Sequence, residues 1–143
     1  MTEVEDIDST PSVTPQPAPK PVAYRPLVVG IDDSFTVLEE MRSLFTPNQY
    51  RFLGISDATH VLLTLLEVKP GLIFLDLVMP IVNGYEICAQ IRRIPHFENT
   101  PITILTSQDT LVDRLRAKMV GATDFLSKPL VVKQVNEIAQ KYL

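Results

Sequence analysis

Three aspartates, a threonine and a lysine are the residues of this 143-residue chain whose types and spacing suit chemistry. Asp32 and Asp33 follow one apolar run, and Asp76 follows another. Thr106 ends a third run, and Lys128 follows a fourth. If these runs are neighbouring parallel strands, their carboxyl ends meet at the sheet edge where open α/β sheets bind ligands. The sequence therefore predicts a crevice that contains three carboxylates, a hydroxyl and an ammonium group.

Such a crevice could bind a metal ion and a phosphoryl group. Crowded carboxylates repel one another, so their pKa values rise unless a cation lies between them. Oxygen ligands without histidine or cysteine favour a hard ion such as Mg²⁺. Together with Mg²⁺, Lys128 and the Thr106 hydroxyl would form a receptacle for phosphoryl oxygens. Asp76 is the candidate nucleophile for an aspartyl-phosphate, because its strand lies between the acidic pair and the threonine and lysine.

The elements that must position these residues alternate regularly along the chain. Five apolar runs predict strands, and each is followed by a stretch with helical spacing of apolar residues. The short connections allow only right-handed crossovers onto one parallel sheet, which predicts a doubly wound α/β fold. The predicted strands are 27–31, 50–55, 72–75, 102–105 and 123–127.

Candidate capping residues mark where the helices begin. In the second helix Val61, Leu62, Leu65 and Leu66 are predicted to face inward, and in the fourth Val112, Leu115 and Met119 recur at helical spacing. The first helix is predicted over about 35–46 after Ser34, the second after Ser56 or Asp57, the third after Asn83, the fourth after Asp109, and the last over about 131–142.

Composition narrows the function classes. The net charge of −4 and the sequence pI of about 5.1 argue against nucleic acid as the main partner, because phosphate binding needs a basic face. No apolar stretch has the length of a membrane span, and the acidic start lacks an apolar signal core. A single cysteine, Cys88, excludes a disulfide framework and a cysteine metal cluster. These features together predict a cytoplasmic protein.

The first 25 residues differ from the rest of the chain. Residues 1–26 contain six of the twelve prolines and none of the five glycines. Alternating prolines favour an extended, disordered arm or linker, so the predicted boundaries are 1–25 for the arm and 26–143 for the domain. The arm is either a free spacer, a connection to an N-terminal domain that is absent here, or a ligand for a proline-binding module.

The ordered set of site motifs resembles a response-regulator receiver domain, over about Pro26 to Leu143. Each motif alone is weak, but the set at these spacings is specific. The motifs are Asp32-Asp33, Asp76 followed by Met79-Pro80 and Asn83-Gly84, Thr106-Ser107, and Phe125 ahead of Lys128-Pro129.

The resemblance implies a flavodoxin-like (CheY-like) three-layer sandwich with strand order 2-1-3-4-5 and a role in two-component phosphorelay signalling. Asp76 would accept a phosphoryl group from a sensor histidine kinase or phosphotransfer protein. Asp33 and Asp76 would bind Mg²⁺ directly, Asp32 through water, and Val78 through its backbone carbonyl. Lys128 would pair with the phosphoryl oxygens and precede a cis proline. Such a domain is not a conventional enzyme, since it catalyses only its own phosphorylation and dephosphorylation.

The resemblance also implies a switch and an output face. Thr106 and Phe125 would form the switch, although tyrosine is common where Phe125 stands. Output would be protein contact with a downstream target or an absent N-terminal domain, and a homodimer through helix four, strand five and helix five is possible. A looser similarity is to the C-terminal receiver of cyanobacterial PatA-type regulators. Candidate output residues are Arg114, Lys118, Phe125, Lys133 and Gln134.

Other classes fit the residues less well. A phosphatase of the haloacid-dehalogenase class needs a second aspartate at the position of Val78. A flavodoxin needs a phosphate-binding loop rich in serine, threonine and glycine after the first strand, and a corrinoid-binding domain needs a histidine in a loop. The alternative that stays open is a receiver fold that docks to a partner without phosphorylation. Phosphorylation of Asp76 by a small phosphodonor separates that alternative from an active receiver.

Overall fold

Five parallel strands form the central sheet of this computed structural model, which describes residues 25–143. The predicted arm lies outside the described residues apart from Arg25. The spatial order is β2-β1-β3-β4-β5, so the implied order 2-1-3-4-5 is confirmed. The strands are β1 (Leu27–Ile31), β2 (Arg51–Ile55), β3 (Leu72–Leu75), β4 (Ile102–Thr106) and β5 (Asp124–Ser127).

Helices cover both faces of the sheet and complete a three-layer sandwich. Residues of α2, α3 and α4 share one buried cluster, and residues of α1 and α5 share the other. No helix within residues 25–143 is long and apolar enough to cross a membrane. The helices are α1 (Phe35–Phe45), α2 (Val61–Val68), α3 (Gly84–Arg92), α4 (Leu111–Met119) and α5 (Val132–Tyr142).

The central strands are apolar throughout because both of their faces are covered. Every residue of β1, β3 and β4 is buried. Successive side chains of a strand point to opposite faces, so Val28 joins the cluster under α1 and α5 while Val29 joins the cluster under α2, α3 and α4. The edge strand β5 is only half-buried, which leaves its side of the molecule more open.

Two predicted helix starts differ from the structure. Thr110, not Asp109, caps α4: its hydroxyl accepts from the Asp113 N–H at 3.1 Å, and the Asp113 carboxylate accepts from the Thr110 N–H at 3.2 Å. Asp57 caps a short 3₁₀ turn, 58–60, and α2 begins only at Val61. At α4 the neighbouring polar residue Thr110 takes the capping role, and at α2 the turn Ala58–His60 lies between the predicted cap and the helix.

The apolar spacing of α4 predicted a helix, but that apolar face is solvent-exposed. Val112, Leu115 and Met119 are 69%, 54% and 85% exposed, and Ala117 is the residue of α4 that is buried. Leu66 of α2, predicted to face inward, is also exposed. Periodicity shows that one face of a helix is apolar, but it does not show whether that face meets the core.

Thr103, in the middle of β4, is expected to be a site where a valine stabilises the protein. Its side chain is fully buried, and its hydroxyl has no hydrogen-bond partner among the described residues. Thr103→Val keeps the shape and removes the unpaired hydroxyl, so the free energy of unfolding should rise by about 1 kcal/mol. Urea unfolding of both proteins measures the difference.

Thr123 supplies the matched control for this substitution. Its hydroxyl accepts from the Ile102 N–H at 3.0 Å and from Arg92 Nη2 at 3.1 Å. Thr123→Val breaks both bonds and should lower the free energy of unfolding by about 1 kcal/mol. A loss of stability in Thr103→Val comparable to that in Thr123→Val would show that the Thr103 hydroxyl is paired in solution.

Candidate functional site

The acidic residues lie side by side at the carboxyl ends of β1 and β3. Ile31 and Leu75 are register partners, and the Asp76 N–H donates to the Ile31 carbonyl at 2.9 Å. One carboxylate oxygen from each of Asp32, Asp33 and Asp76 lies within 4.8 Å of the others. Asp32 and Asp76 are only 1% and 5% exposed, whereas Asp33 is exposed. The structure thus brings the three predicted aspartates together at an opening to solvent.

Lys128 reaches this cluster from the end of β5. Its Nζ atom lies 2.7 Å from Asp32 Oδ2 and 3.4 Å from Asp76 Oδ2. The backbone N–H of Lys128 donates to the Thr106 carbonyl at 2.9 Å, which holds the lysine next to the end of β4. The Lys128–Pro129 peptide bond is cis, as the resemblance implied. The ammonium group therefore bridges the two buried carboxylates and leaves Asp33 without its direct contact.

Burial and mutual charge shift the pKa values of this cluster. Burial raises the pKa of Asp32, and the charge of Asp76 adds to that rise, against the lowering effect of Lys128 and of the Ser34 N–H bonded at 2.8 Å. For Lys128, burial acts to lower the pKa, but the contacts with Asp32 and Asp76 outweigh it and raise the pKa. A cluster whose buried carboxylate is harder to ionise than usual favours a further cation.

The donor set fits a hard divalent cation. The three aspartates offer only oxygen atoms, the ligands that Mg²⁺ prefers. Asp32 Oδ2 is buried and forms no well-oriented hydrogen bond within residues 25–143, although the Lys128 ammonium lies beside it. An acceptor in this state can still bind a metal-bound water. The residues present therefore suit Mg²⁺ at this edge of the sheet.

The loop after Asp76 is held tightly against the acidic cluster. Asp76 Oδ1 accepts from the Val78 N–H at 3.3 Å, and Val78 pairs with Asn83 in an isolated antiparallel bridge. Asn83 caps α3 through its side chain, as predicted, and Gly84 donates its N–H to the Leu77 carbonyl at 3.1 Å. This network keeps the Val78 backbone next to the carboxylates.

The two predicted switch residues lie on neighbouring strands and on the same face of the sheet. Ile104 pairs with Phe125 and Thr106 pairs with Ser127, so the side chains of Thr106 and Phe125 point the same way. Thr106 is fully buried, and its hydroxyl accepts from the Gln108 N–H at 3.3 Å. Phe125 is half-buried and packs against the cluster under α2, α3 and α4.

Sequence reasoning missed a cluster around Phe125. The Arg114 guanidinium lies over the Phe125 ring, 4.6 Å from its centroid, and pairs with Asp109, which also bonds Ser127. The predicted output residues Lys118, Lys133 and Gln134 are exposed on α4 and α5. The missed signal was Asp109, which the sequence assigned to a helix cap and which the fold uses as an ion-pair partner.

Comparison with known protein families shows to which family this chain belongs. The profile of the response regulator receiver domain matches residues 28–140. This chain belongs to that family. It is a receiver domain of two-component systems, and the predicted family is confirmed.

Relatives of known sequence agree with this identification. The receiver is 32% identical over 102 residues to protein PilG of Pseudomonas aeruginosa, a match that covers 71% of this chain and 76% of PilG. It is 29% identical over 108 residues to response regulator MprA of Mycobacterium leprae, covering 76% of this chain. The match spans only 46% of MprA, so less than half of that relative corresponds to this chain.

Solved structures share the fold. The chemotaxis protein CheY4 of Vibrio cholerae superposes with a TM-score of 0.78 at 24% identity, covering 83% of this chain and 99% of CheY4. The BeF₃-activated receiver domain of Klebsiella pneumoniae RstA superposes with a TM-score of 0.75 at 19% identity, covering 81% of this chain and 97% of that domain. The CheY-like sandwich predicted for this chain is therefore confirmed.

Asp33 is expected to destabilise the metal-free receiver and to be needed for stabilisation by Mg²⁺. Asp33→Asn removes a repulsive charge that Lys128 does not contact, so the free energy of unfolding in EDTA should rise by about 0.5 kcal/mol. Mg²⁺ at one hundred times its dissociation constant should stabilise the wild type by roughly 2.7 kcal/mol. It should do much less for Asp33→Asn, and thermal melts with and without Mg²⁺ measure both effects.

Asp32→Asn provides the contrast, because Asp32 is the closest partner of Lys128. This variant should gain less stability in EDTA than Asp33→Asn, since the buried ammonium loses a charged neighbour. If Asp33→Asn melts below the wild type in EDTA, Asp33 has a structural role and charge repulsion does not explain the site.

Proposed function

We propose that this receiver accepts a phosphoryl group on Asp76 from a sensor histidine kinase or a phosphotransfer protein. The observation that supports the proposal is the position of Asp76, which lies 3.4 Å from the Lys128 ammonium and within the cluster of three carboxylates. In this reaction a bond forms between an Asp76 carboxylate oxygen and phosphorus, and the bond from phosphorus to the donor nitrogen breaks. The receiver itself catalyses only this transfer and the later hydrolysis.

Each site residue has a distinct role in this proposal. Asp33 and Asp76 would bind Mg²⁺ directly, Asp32 through a water molecule, and Val78 through its backbone carbonyl. When bound, Mg²⁺ supplies positive charge that offsets the carboxylates and the incoming phosphoryl oxygens. Lys128 pairs with the phosphoryl oxygens and thereby exchanges one of its present carboxylate contacts for the new group.

Output in this proposal passes through Thr106 and Phe125 to the surface of α4, β5 and α5. Thr106 turns its hydroxyl toward the phosphoryl group, and Phe125 moves into the space that it leaves. The exposed apolar side chains of α4 support this face as a contact surface for a downstream protein, an N-terminal domain or a second copy. In this proposal residues 1–25 form an arm that precedes the domain of residues 26–143. The protein would act in the cytoplasm, where histidine kinases have access to ATP.

Phosphorylation by acetyl phosphate tests the proposal directly. With Mg²⁺ present, the full chain should gain one phosphoryl group, and Asp76→Asn should gain none. Intact-protein mass spectrometry detects the product, and peptide mapping after borohydride reduction locates it on Asp76. A wild-type chain that stays unmodified with both acetyl phosphate and phosphoramidate would instead support a docking module that works without phosphorylation.

A further inference from the structure

Three polar side chains and one aromatic ring form a connected cluster beside β5. The Arg114 guanidinium pairs with Asp109 through both carboxylate oxygens, with Nε at 2.5 Å from Oδ1 and Nη2 at 3.0 Å from Oδ2. The Ser127 hydroxyl donates to Asp109 Oδ2, and Arg114 Nη2 lies 3.5 Å from Ser127 Oγ. The same guanidinium lies over the Phe125 ring at 4.6 Å from the centroid. Arg114 thus covers the ring of the proposed switch residue.

The cluster is connected to the phosphorylation site through the loop that follows β4. Thr106 ends β4, and its hydroxyl accepts from the Gln108 N–H at 3.3 Å. Asp109 is the next residue, and Thr110 then begins the capping box of α4. If Thr106 turns its hydroxyl away, the Gln108 N–H loses its acceptor, so the loop that carries Asp109 is free to move.

We propose that Arg114 is a positioning residue that holds Phe125 in the unphosphorylated receiver, and that Asp109 releases it when Thr106 turns toward the phosphoryl group. The proposal rests on the switch described above and assigns its control to residues outside the acidic site. Phe125 lacks the hydroxyl with which a tyrosine could form a hydrogen bond. The contact of the guanidinium with the ring provides a polar partner of another kind.

The strength of these contacts suits a reversible device. Arg114 and Asp109 are partly exposed, so water and salt weaken the ion pair between them. A weak restraint biases a two-state equilibrium without locking it, so a local change at Thr106 is sufficient to release it. The bidentate geometry fixes the orientation of the guanidinium plane over the ring, which a lysine could not reproduce.

Substitutions of either partner of the Arg114–Asp109 ion pair test whether this pair holds Phe125. In the unphosphorylated full chain, Arg114→Ala and Asp109→Asn should each change the χ1 population of Phe125, measured from three-bond couplings and ring chemical shifts by NMR. With acetyl phosphate and Mg²⁺, both variants should phosphorylate about three- to fivefold faster than the wild type, because the released state is more populated before transfer. Arg114→Lys should behave like Arg114→Ala in the ring measurement.

Lys118→Ala is the matched control, because Lys118 is an exposed cation on the same helix, whereas the cation that lies over the Phe125 ring is Arg114. This variant should leave the ring populations unchanged. If the ring populations in Arg114→Ala and Asp109→Asn equal those in Lys118→Ala, the proposal that Arg114 holds Phe125 is wrong. The NMR measurement needs no phosphorylation, so it tests whether Arg114 holds Phe125 even if Asp76 is never modified. Failure of the wild type to accept a phosphoryl group would overturn the proposed function separately.

Discussion

Lys128→Met is expected to slow phosphorylation of Asp76 by acetyl phosphate about a hundredfold, because the phosphoryl oxygens lose a charged donor. The Lys128 ammonium lies within 3.4 Å of the Asp76 carboxylate, so it is already in place to pair with a group added there. Methionine keeps a similar side-chain length without the charge. A time course of intact mass in the presence of Mg²⁺ gives the rate.

The same substitution should lower the stability of the metal-free protein and increase the stabilisation by Mg²⁺. Without metal, Asp32 and Asp76 lose their nearest cation, and the free energy of unfolding should fall by roughly 2 kcal/mol. With Mg²⁺, Lys128→Met should gain more stability than the wild type, since no ammonium repels the ion. Lys133→Met, an exposed change on α5, is the control for loss of a positive charge. Equal phosphorylation rates in Lys128→Met and Lys133→Met would remove Lys128 from the mechanism.

Gly84→Ala is expected to destabilise the receiver by about 3 kcal/mol or more. A Cβ atom at this position would lie 2.5 Å from the Asp76 carbonyl oxygen and 2.5 Å from Leu77 Cα. Both are backbone atoms of the loop that carries the phosphoacceptor, so neither can move without shifting Asp76. Interiors packed at this density do not absorb such an overlap. Chemical denaturation measures the loss, and acetyl phosphate should modify the folded fraction more slowly.

Gly71→Ala is the control for loss of glycine flexibility. A Cβ atom there would lie 3.0 Å from Leu143 Cδ2, the end of a flexible side chain that can turn aside. This variant should change the free energy of unfolding by less than about 1 kcal/mol. If Gly84→Ala is as stable as Gly71→Ala, the close approach of α3 to the phosphoacceptor loop is not a constraint in solution.

The sequence was sufficient to predict the fold because its signals were local and repeated. Short apolar runs such as Leu72–Leu75 favour strands covered on both faces, and their alternation with amphipathic stretches predicts a doubly wound sheet. Periodicity did not determine the strand order. That came from the resemblance of the site motifs, and it is the order in the structure.

The site could also be predicted in part, because parallel strands bring their carboxyl ends together. The grouping of Asp32, Asp33 and Asp76 follows from that geometry, and the structure places them within reach of one ion. That geometry does not predict which of the three carboxylates contacts Lys128. Lys128 contacts Asp32 and Asp76 but not Asp33, since the depth of each carboxylate depends on how the neighbouring loops close over it.

By itself, the sequence determined the elements, the edge of the sheet that carries the chemistry and the family to which the chain belongs. These depend on residue type and order along the chain. Only the tertiary structure decided which apolar residues meet the core and which charges pair. Val112 and Met119 face solvent because α4 packs through Ala117, and Asp109 pairs with Arg114 because the turn before α4 brings them together. Such contacts depend on how elements pack, and helical spacing is the same whichever face a helix buries.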